Sequence, residues 1–176
     1  MENADIVLLT GPKHSGKTSI GRALAHMQKI KFYDLDELIE TETGKSPRTL
    51  FREGAGIFRK AEADALSGLL KKNETCIAAA GGGLIDNNEA MNLLAQSPEI
   101  ILINLEISVQ TAWKRITENS AGGELPAFLD KTNPMQSHSE IHTRRARLYR
   151  NAARFTIEAE GKSPRMMSSE IINKLN

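Results

Sequence analysis

Short apolar runs alternate along the chain with stretches whose apolar residues recur every three to four positions. The runs "DIVLLT" (5–10), "IKFYDLD" (30–36), "TCIAAA" (75–80), "EIILINL" (99–105) and "RFTIEA" (154–159) are too short for helices and read as five strands. Between them, "GKTSIGRALAHM" (16–27) and "DELIETETG" (36–44, stopped at Gly44) read as helices. So does 57–72, where Phe58, Ala61, Ala65, Leu66, Leu69 and Leu70 fall on one face. "NNEAMNLLAQ" (87–96), "SVQTAWKRITEN" (108–119, with Ser108 as N-cap), "IHTRRARLYRNAA" (141–153) and "PRMMSSEIINKL" (164–175) complete the set. This alternation implies an α/β fold, a parallel sheet covered by helices on both faces. Residues 120–134 follow neither period and contain several helix breakers; an irregular stretch of that length is usually a lid or disordered.

Composition narrows the class without choosing a function. At 176 residues the chain reads as one domain, 1–176, large enough to bury roughly 70% of its unfolded surface. A net charge of +1 gives no argument for nucleic acid or an anionic membrane as partner. The single cysteine, Cys76, lies in an apolar run and reads as a buried strand thiol, which fits a reducing compartment. Glu2 and Asp5 precede an apolar run too short for a secretory signal, so a cytoplasmic location is expected.

The first specific chemistry is "GPKHSGKT", Gly11 to Thr18, between a strand and a helix. Phosphate oxygens must be met by several backbone N–H groups at close range, and glycines permit that approach. The following helix aims its N-terminus at the anion. Gly11, Ser15, Gly16 and Ser19 belong to this cradle, Lys17 supplies charge to the terminal phosphates, and Thr18 offers a hydroxyl to Mg²⁺. His14 fills a position the motif leaves open and reads as a spacer. The donor read from these residues is Mg-ATP. No Asn-Lys-x-Asp base reader is present, which argues against a GTP switch.

The second strand ends "DLDE". Asp34 is the natural carboxylate for Mg²⁺, which favours oxygen ligands and water. Asp36, two residues on, could act on an acceptor hydroxyl as base or orienter; alternatively both acids only cap the helix that follows. On the acceptor side, Arg59 and Glu62 share a helical face, Gly81–Gly83 follows a strand at the sheet's carboxyl edge, and "RRARLYR" carries four arginines. Convergent arginines favour a carboxylate held bidentately; the plainer alternatives are a surface ion pair and a solvated face.

Together, "GPKHSGKTSIGRALA", "FYDLDELIETETGKS", "LFREG", "FRKAEADAL", "AAGGGLI", "INLEIS", "RARLYRNAA" and "EGKSP" resemble the shikimate kinase family over nearly the whole chain. The resemblance implies a five-stranded parallel sheet of the nucleoside-monophosphate-kinase type with a lid near 120–134. It implies transfer of the ATP γ-phosphate to the 3-hydroxyl of shikimate, a step of aromatic amino-acid biosynthesis, by a monomer. Asp34 would hold Mg²⁺ through water and Asp36 the substrate hydroxyls, including the one that attacks. Arg59 and Arg145 would grip the carboxylate, with Gly82 and Gly83 lining the pocket, Phe51 and Phe58 walling the ring, and Glu62 orienting. Arg115 and Pro164 would flank adenine.

Two positions depart from the family pattern. Leu125, before Pro126, stands where the family's lid carries an arginine that reaches the phosphates. Such a residue can be worth about 10³–10⁵ in rate, so Lys131, Arg144 or Arg147 would have to substitute. "FREGAGIF" is one residue shorter than the usual spacing. These departures leave open a kinase of the same fold for another hydroxylated acid or sugar acid, or a nucleotide-binding protein with little turnover. His138 and His142 have metal-ligand spacing on a helix, with no third ligand nearby in sequence.

Overall fold

The computed structural model describes residues 5–119, 125–129 and 131–176. Part of the expected lid, 120–124 and 130, lies outside the described residues. The five strands are β1 (Ile6–Thr10), β2 (Lys31–Asp34), β3 (Cys76–Ala79), β4 (Ile100–Glu106) and β5 (Phe155–Glu158). They form one parallel sheet in the order β2-β3-β1-β4-β5. The helices are α1 (Lys17–Gln28), α2 (Leu35–Thr43), α3 (Pro47–Glu53), α4 (Ala55–Lys71), α5 (Asn88–Ala95), α6 (Val109–Glu118), α7 (Pro134–Ala152) and α8 (Pro164–Leu175).

The run "IVLL" is apolar throughout because β1 is buried on both faces. Ile6 and Leu8 enter a core with α2, α4 and α5, including Leu35, Ile39, Leu66 and Ala90. Val7 and Leu9 enter the opposite core, with Ile20 and Leu24 of α1 and Met167 and Ile171 of α8. Strict alternation of side chains along a strand produces this division. Cys76 is buried on β3 as expected, and burial pushes its thiol up to about 11. Among the described residues no helix is long and apolar enough to cross a membrane.

Three local readings are corrected. The strand read over 30–36 is shorter and ends at Asp34, whose carboxylate caps α2 by accepting the Asp36 N–H at 3.0 Å; Asp36 lies in the helix, as the reading of 36–44 expects. Helix α3 was not expected: Ser46 caps it and Pro47 fills its first position, where a missing N–H costs nothing. It meets α4 through Gly54 alone, so the shortened "FREGAGIF" is a direct helix–helix junction. Helix α7 begins at Pro134, well before 141, for the same reason: this proline starts a helix.

Because β1 lies between β3 and β4, the chain leaves β1 at the sheet's topological switch point, where open α/β sheets form a crevice beyond the strand ends. The glycine loop, the Gly81–Gly83 turn and the end of β2 all emerge there.

Candidate active site

A cavity of about 500 Å³ opens over this edge. Its floor is the loop between β1 and α1. Gly11, at φ +132°, lies so close to the end of β4 that a Cβ there would stand 2.3 Å from the Leu105 carbonyl oxygen; only glycine fits. Gly16, at φ +98°, begins α1 without a side-chain cap, leaving the first-turn N–H groups available to an anion. The buried Lys17 ammonium donates to the carbonyls of Gly11 (3.0 Å) and Pro12 (2.8 Å), which aim it before any ligand arrives. Burial lowers its pKa to about 8, with Asp36 and Asp34 opposing the shift.

Beside it, the Thr18 hydroxyl donates to Asp34 Oδ2 at 2.7 Å. A hydroxyl and a carboxylate side by side on the cavity wall form the hard-oxygen donor set that suits Mg²⁺, whose remaining positions water and phosphate oxygens can fill. Asp36 also lines the cavity; burial first, then Asp34, pushes its carboxyl up to about 6.

The opposite wall is built from two anchored arginines. Arg59 of α4 donates from Nη1 to Glu62 Oε2 and to the Gly83 carbonyl, both at 2.9 Å. The buried Glu62 carboxylate also accepts from Asn87 Nδ2 at 2.9 Å. Arg145 of α7 donates from Nε to Asp86 Oδ2 at 2.8 Å and from Nη1 to the Gly82 carbonyl at 3.1 Å. The Arg59 guanidinium lies 5.5 Å from the Phe58 ring centroid and that of Arg145 5.3 Å from the Phe128 centroid. Phe51 packs edge-on against Phe58 at 6.0 Å.

Each glycine of the 81–83 turn makes room for neighbouring groups of the site. A Cβ on Gly81 would stand 3.1 Å from Glu62 Oε1 and 3.3 Å from Asp36 Oδ1. One on Gly82 would press the Lys13 backbone nitrogen at 3.0 Å. One on Gly83 would fall between the guanidinium groups of Arg59 (3.2 Å) and Arg145 (3.3 Å). The triplet thus joins the phosphate loop to the two arginines.

The cavity gathers Gly16, Lys17, Thr18, Ser19, Asp34, Asp36, Arg59, Gly82, Gly83, Arg115 and Arg145 from the residues singled out in the sequence. Gly11, Ser15 and Pro164 do not line it. Gly11 is packed behind the loop, Ser15 is buried there, and Pro164 is the first residue of α8. Arg115 donates from Nη1 to the His14 carbonyl at 2.9 Å, so it braces the loop as well as facing the cavity. None of the three cations suggested in place of the lid arginine lines the cavity. Lys131 and Arg147 are exposed, and Arg144 is engaged with Asp86 through two hydrogen bonds, at 2.7 and 2.8 Å. Lys13, Arg48 and Phe128, which do line it, were not singled out for this role. Nor were Asp86 and Asn87, which anchor its arginines from outside sequence-local spacing.

His138 and His142 are buried on α7 with ring centroids 5.5 Å apart, and Trp113 of α6 lies 5.4 Å from His138. Lys13, Arg145 and Tyr149 line the same small void. Burial, reinforced by His142, lowers the His138 pKa to about 4. Between about pH 6.5 and 4 the unfolded chain therefore takes up a proton at this residue that the folded chain refuses. Stability should fall as pH drops through that window, by about 2–3 kcal/mol from this group. Denaturant unfolding at pH 7 and 4.5 checks this: His138→Leu should show a shallower loss than the parent, and parallel curves would contradict it.

Known proteins share this architecture. The shikimate kinase family model matches residues 13–176. A shikimate kinase of Corynebacterium diphtheriae is 32% identical over 172 residues, covering 97% of this chain and 94% of its own. Among solved structures, shikimate kinase from Acinetobacter baumannii in complex with shikimate superposes with a TM-score of 0.85 at 28% identity, covering 99% of this chain and 94% of that one. The shikimate kinase of Aquifex aeolicus superposes with a TM-score of 0.76 at 26% identity, over 97% and 95% of the two chains.

Proposed function

This chain belongs to the shikimate kinase family of ATP-dependent, Mg²⁺-using phosphotransferases, and we propose that it transfers the ATP γ-phosphate to the 3-hydroxyl of shikimate. The observation that carries this reading is the pair Arg59 and Arg145, whose guanidinium groups flank Gly83 on the wall of the cavity that also holds Lys17 and Asp36. Two anchored guanidinium groups at that spacing suit a small carboxylate, and the aromatic faces of Phe51 and Phe58 suit the ring that bears it.

Each residue then has a task. The loop N–H groups and Lys17 hold the phosphates of ATP; Ser19 and Arg115 flank the nucleotide. Thr18 and Asp34 hold Mg²⁺, which offsets negative charge on the phosphates. Asp36 takes the hydrogen bond of the attacking hydroxyl and turns its oxygen towards phosphorus. As the new O–P bond forms, the bond to the β–γ bridging oxygen breaks and its electron pair leaves with ADP. The hydroxyl proton passes to Asp36 or to water. Glu62 and Asp86 hold the two arginines in place, so little side-chain freedom is lost when the acceptor binds. The protein acts as a single-domain monomer in the cytoplasm.

Neutralising the acceptor's carboxylate tests the arginine pair. With the methyl ester of shikimate, KM should rise about a hundredfold or more, since each arginine would lose a charge-assisted bond of about 1.5–3 kcal/mol. Equal KM values for acid and ester would overturn the assignment of Arg59 and Arg145.

A further inference from the structure

Among the described residues the cavity is lined by six cationic side chains, Lys13, Lys17, Arg48, Arg59, Arg115 and Arg145, and two carboxylates, Asp34 and Asp36. Lys17 and Arg115 are fixed on the phosphate loop, and Arg59 and Arg145 on the acceptor wall. Lys13 and Arg48 are part of neither pair, yet both line the same cavity.

They come from different elements. Lys13 rises from the phosphate loop, its backbone seated on Gly82. Arg48 comes from the first turn of α3, and its Nη2 donates to the Leu125 carbonyl at 3.2 Å. That bond holds the guanidinium against the segment that carries Phe128 to the cavity. The two side chains also feel the same local field. Lys13 is partly desolvated, attracted by Asp36 and repelled by Arg48, and all three residues line the cavity. An anion between the two cations would relieve that repulsion, and a guanidinium fork with an ammonium opposite can meet three phosphoryl oxygens.

We propose that Lys13 and Arg48 form a clamp on the transferred phosphoryl group, Lys13 from the loop below and Arg48 from α3 above. The clamp rests on the phosphoryl-transfer reading given under Proposed function. Asp36 marks where the acceptor hydroxyl meets phosphorus; Lys13 lies within its field, and Arg48 lines the same cavity. They neutralise the non-bridging oxygens while the O–P bond to the acceptor forms and the bond to ADP breaks. Leucine at 125 is then tolerated because the charge comes from α3; residue 125 contributes its carbonyl, which positions Arg48.

The test uses Lys13→Met, Arg48→Gln and Arg48→Lys in the full chain. Each neutral variant should lower kcat about a hundredfold, as loss of one preorganised transition-state donor does, with acceptor KM within about twofold. Without acceptor, calorimetric titration with Mg²⁺ plus the non-hydrolysable analogue AMPPNP, or plus ADP, reads contact with the γ-phosphate alone. The ratio of the two affinities should fall about tenfold in each neutral variant, a loss of about 1.4 kcal/mol. Arg48→Lys should recover part of both effects, and it keeps the test available if Arg48→Gln does not fold. An unchanged kcat would overturn the clamp. So would a rise confined to acceptor KM, which would assign the pair to the acceptor, or an equal loss of AMPPNP and ADP affinity. The affinity ratio needs no acceptor, so it can fail while shikimate turnover stands, or hold while that turnover fails.

Discussion

Lys17→Ala should lower turnover by about 10²–10³-fold or more while leaving the fold intact. Phosphoryl transfer relies on placing and neutralising charge, with little covalent chemistry for the protein to perform. The Lys17 ammonium is already held by the carbonyls of Gly11 and Pro12 in the free protein, so no reorganisation is needed when phosphate arrives. Alanine removes that charge and nothing else supplies it from the same point. Folding should not suffer, because a buried ammonium is itself costly, as its pKa near 8 reflects. Initial rates with a thermal melt on the same preparation check both halves. A rate near the parent's would remove the loop from the chemistry, and a collapsed melt would show that Lys17 holds the fold.

Asp36→Asn should cost about 10²–10⁴ in kcat, the usual range for a positioned acid or base, with AMPPNP affinity nearly kept. Asparagine preserves the shape of the carboxylate and its place on α2, whose capping depends on Asp34 and not on Asp36. What it loses is an oxygen that can only accept, so the acceptor hydroxyl is no longer forced to donate there. The carboxylate lies 3.3 Å from a Cβ built on Gly81, beside Glu62 and within the field of Lys17 and Lys13. It therefore stands at the junction of the phosphate and acceptor halves. A variant with parental kcat and raised AMPPNP Kd would move Asp36 from the acceptor to the nucleotide.

These two residues were legible in the sequence for different reasons. Lys17 belongs to a contiguous motif whose spacing is dictated by the size of a phosphate. Asp36 was legible by its neighbourhood, where the second strand gives way to the helix read over 36–44, and it lies on α2. The strands could be read because a doubly buried strand is apolar along its length, as β1 is from Ile6 to Leu9. In the sequence Pro134 counts into the irregular stretch and the segment at Pro47 carries no expected element, yet a breaker in the middle of a helix is a favoured first residue at both. Glu62 could be paired with Arg59 from helical spacing, but Asp86 with Arg145 could not, since 59 residues separate them. Arg144 shows the converse error. Its charge made it a candidate for the phosphates, yet Asp86 holds it outside the cavity. Arg48 lay in a stretch with no evident helix, so nothing in the sequence aimed it at the site.

The central claim is that the cavity phosphorylates shikimate. Its most direct test is the rate of ADP formation with Mg-ATP across a panel of hydroxylated acids and sugar acids that includes shikimate. The account predicts saturable turnover with shikimate and none above the ATP-only background with the others. Turnover with another acid and not with shikimate, or ATP binding with no turnover on any acceptor, would contradict it.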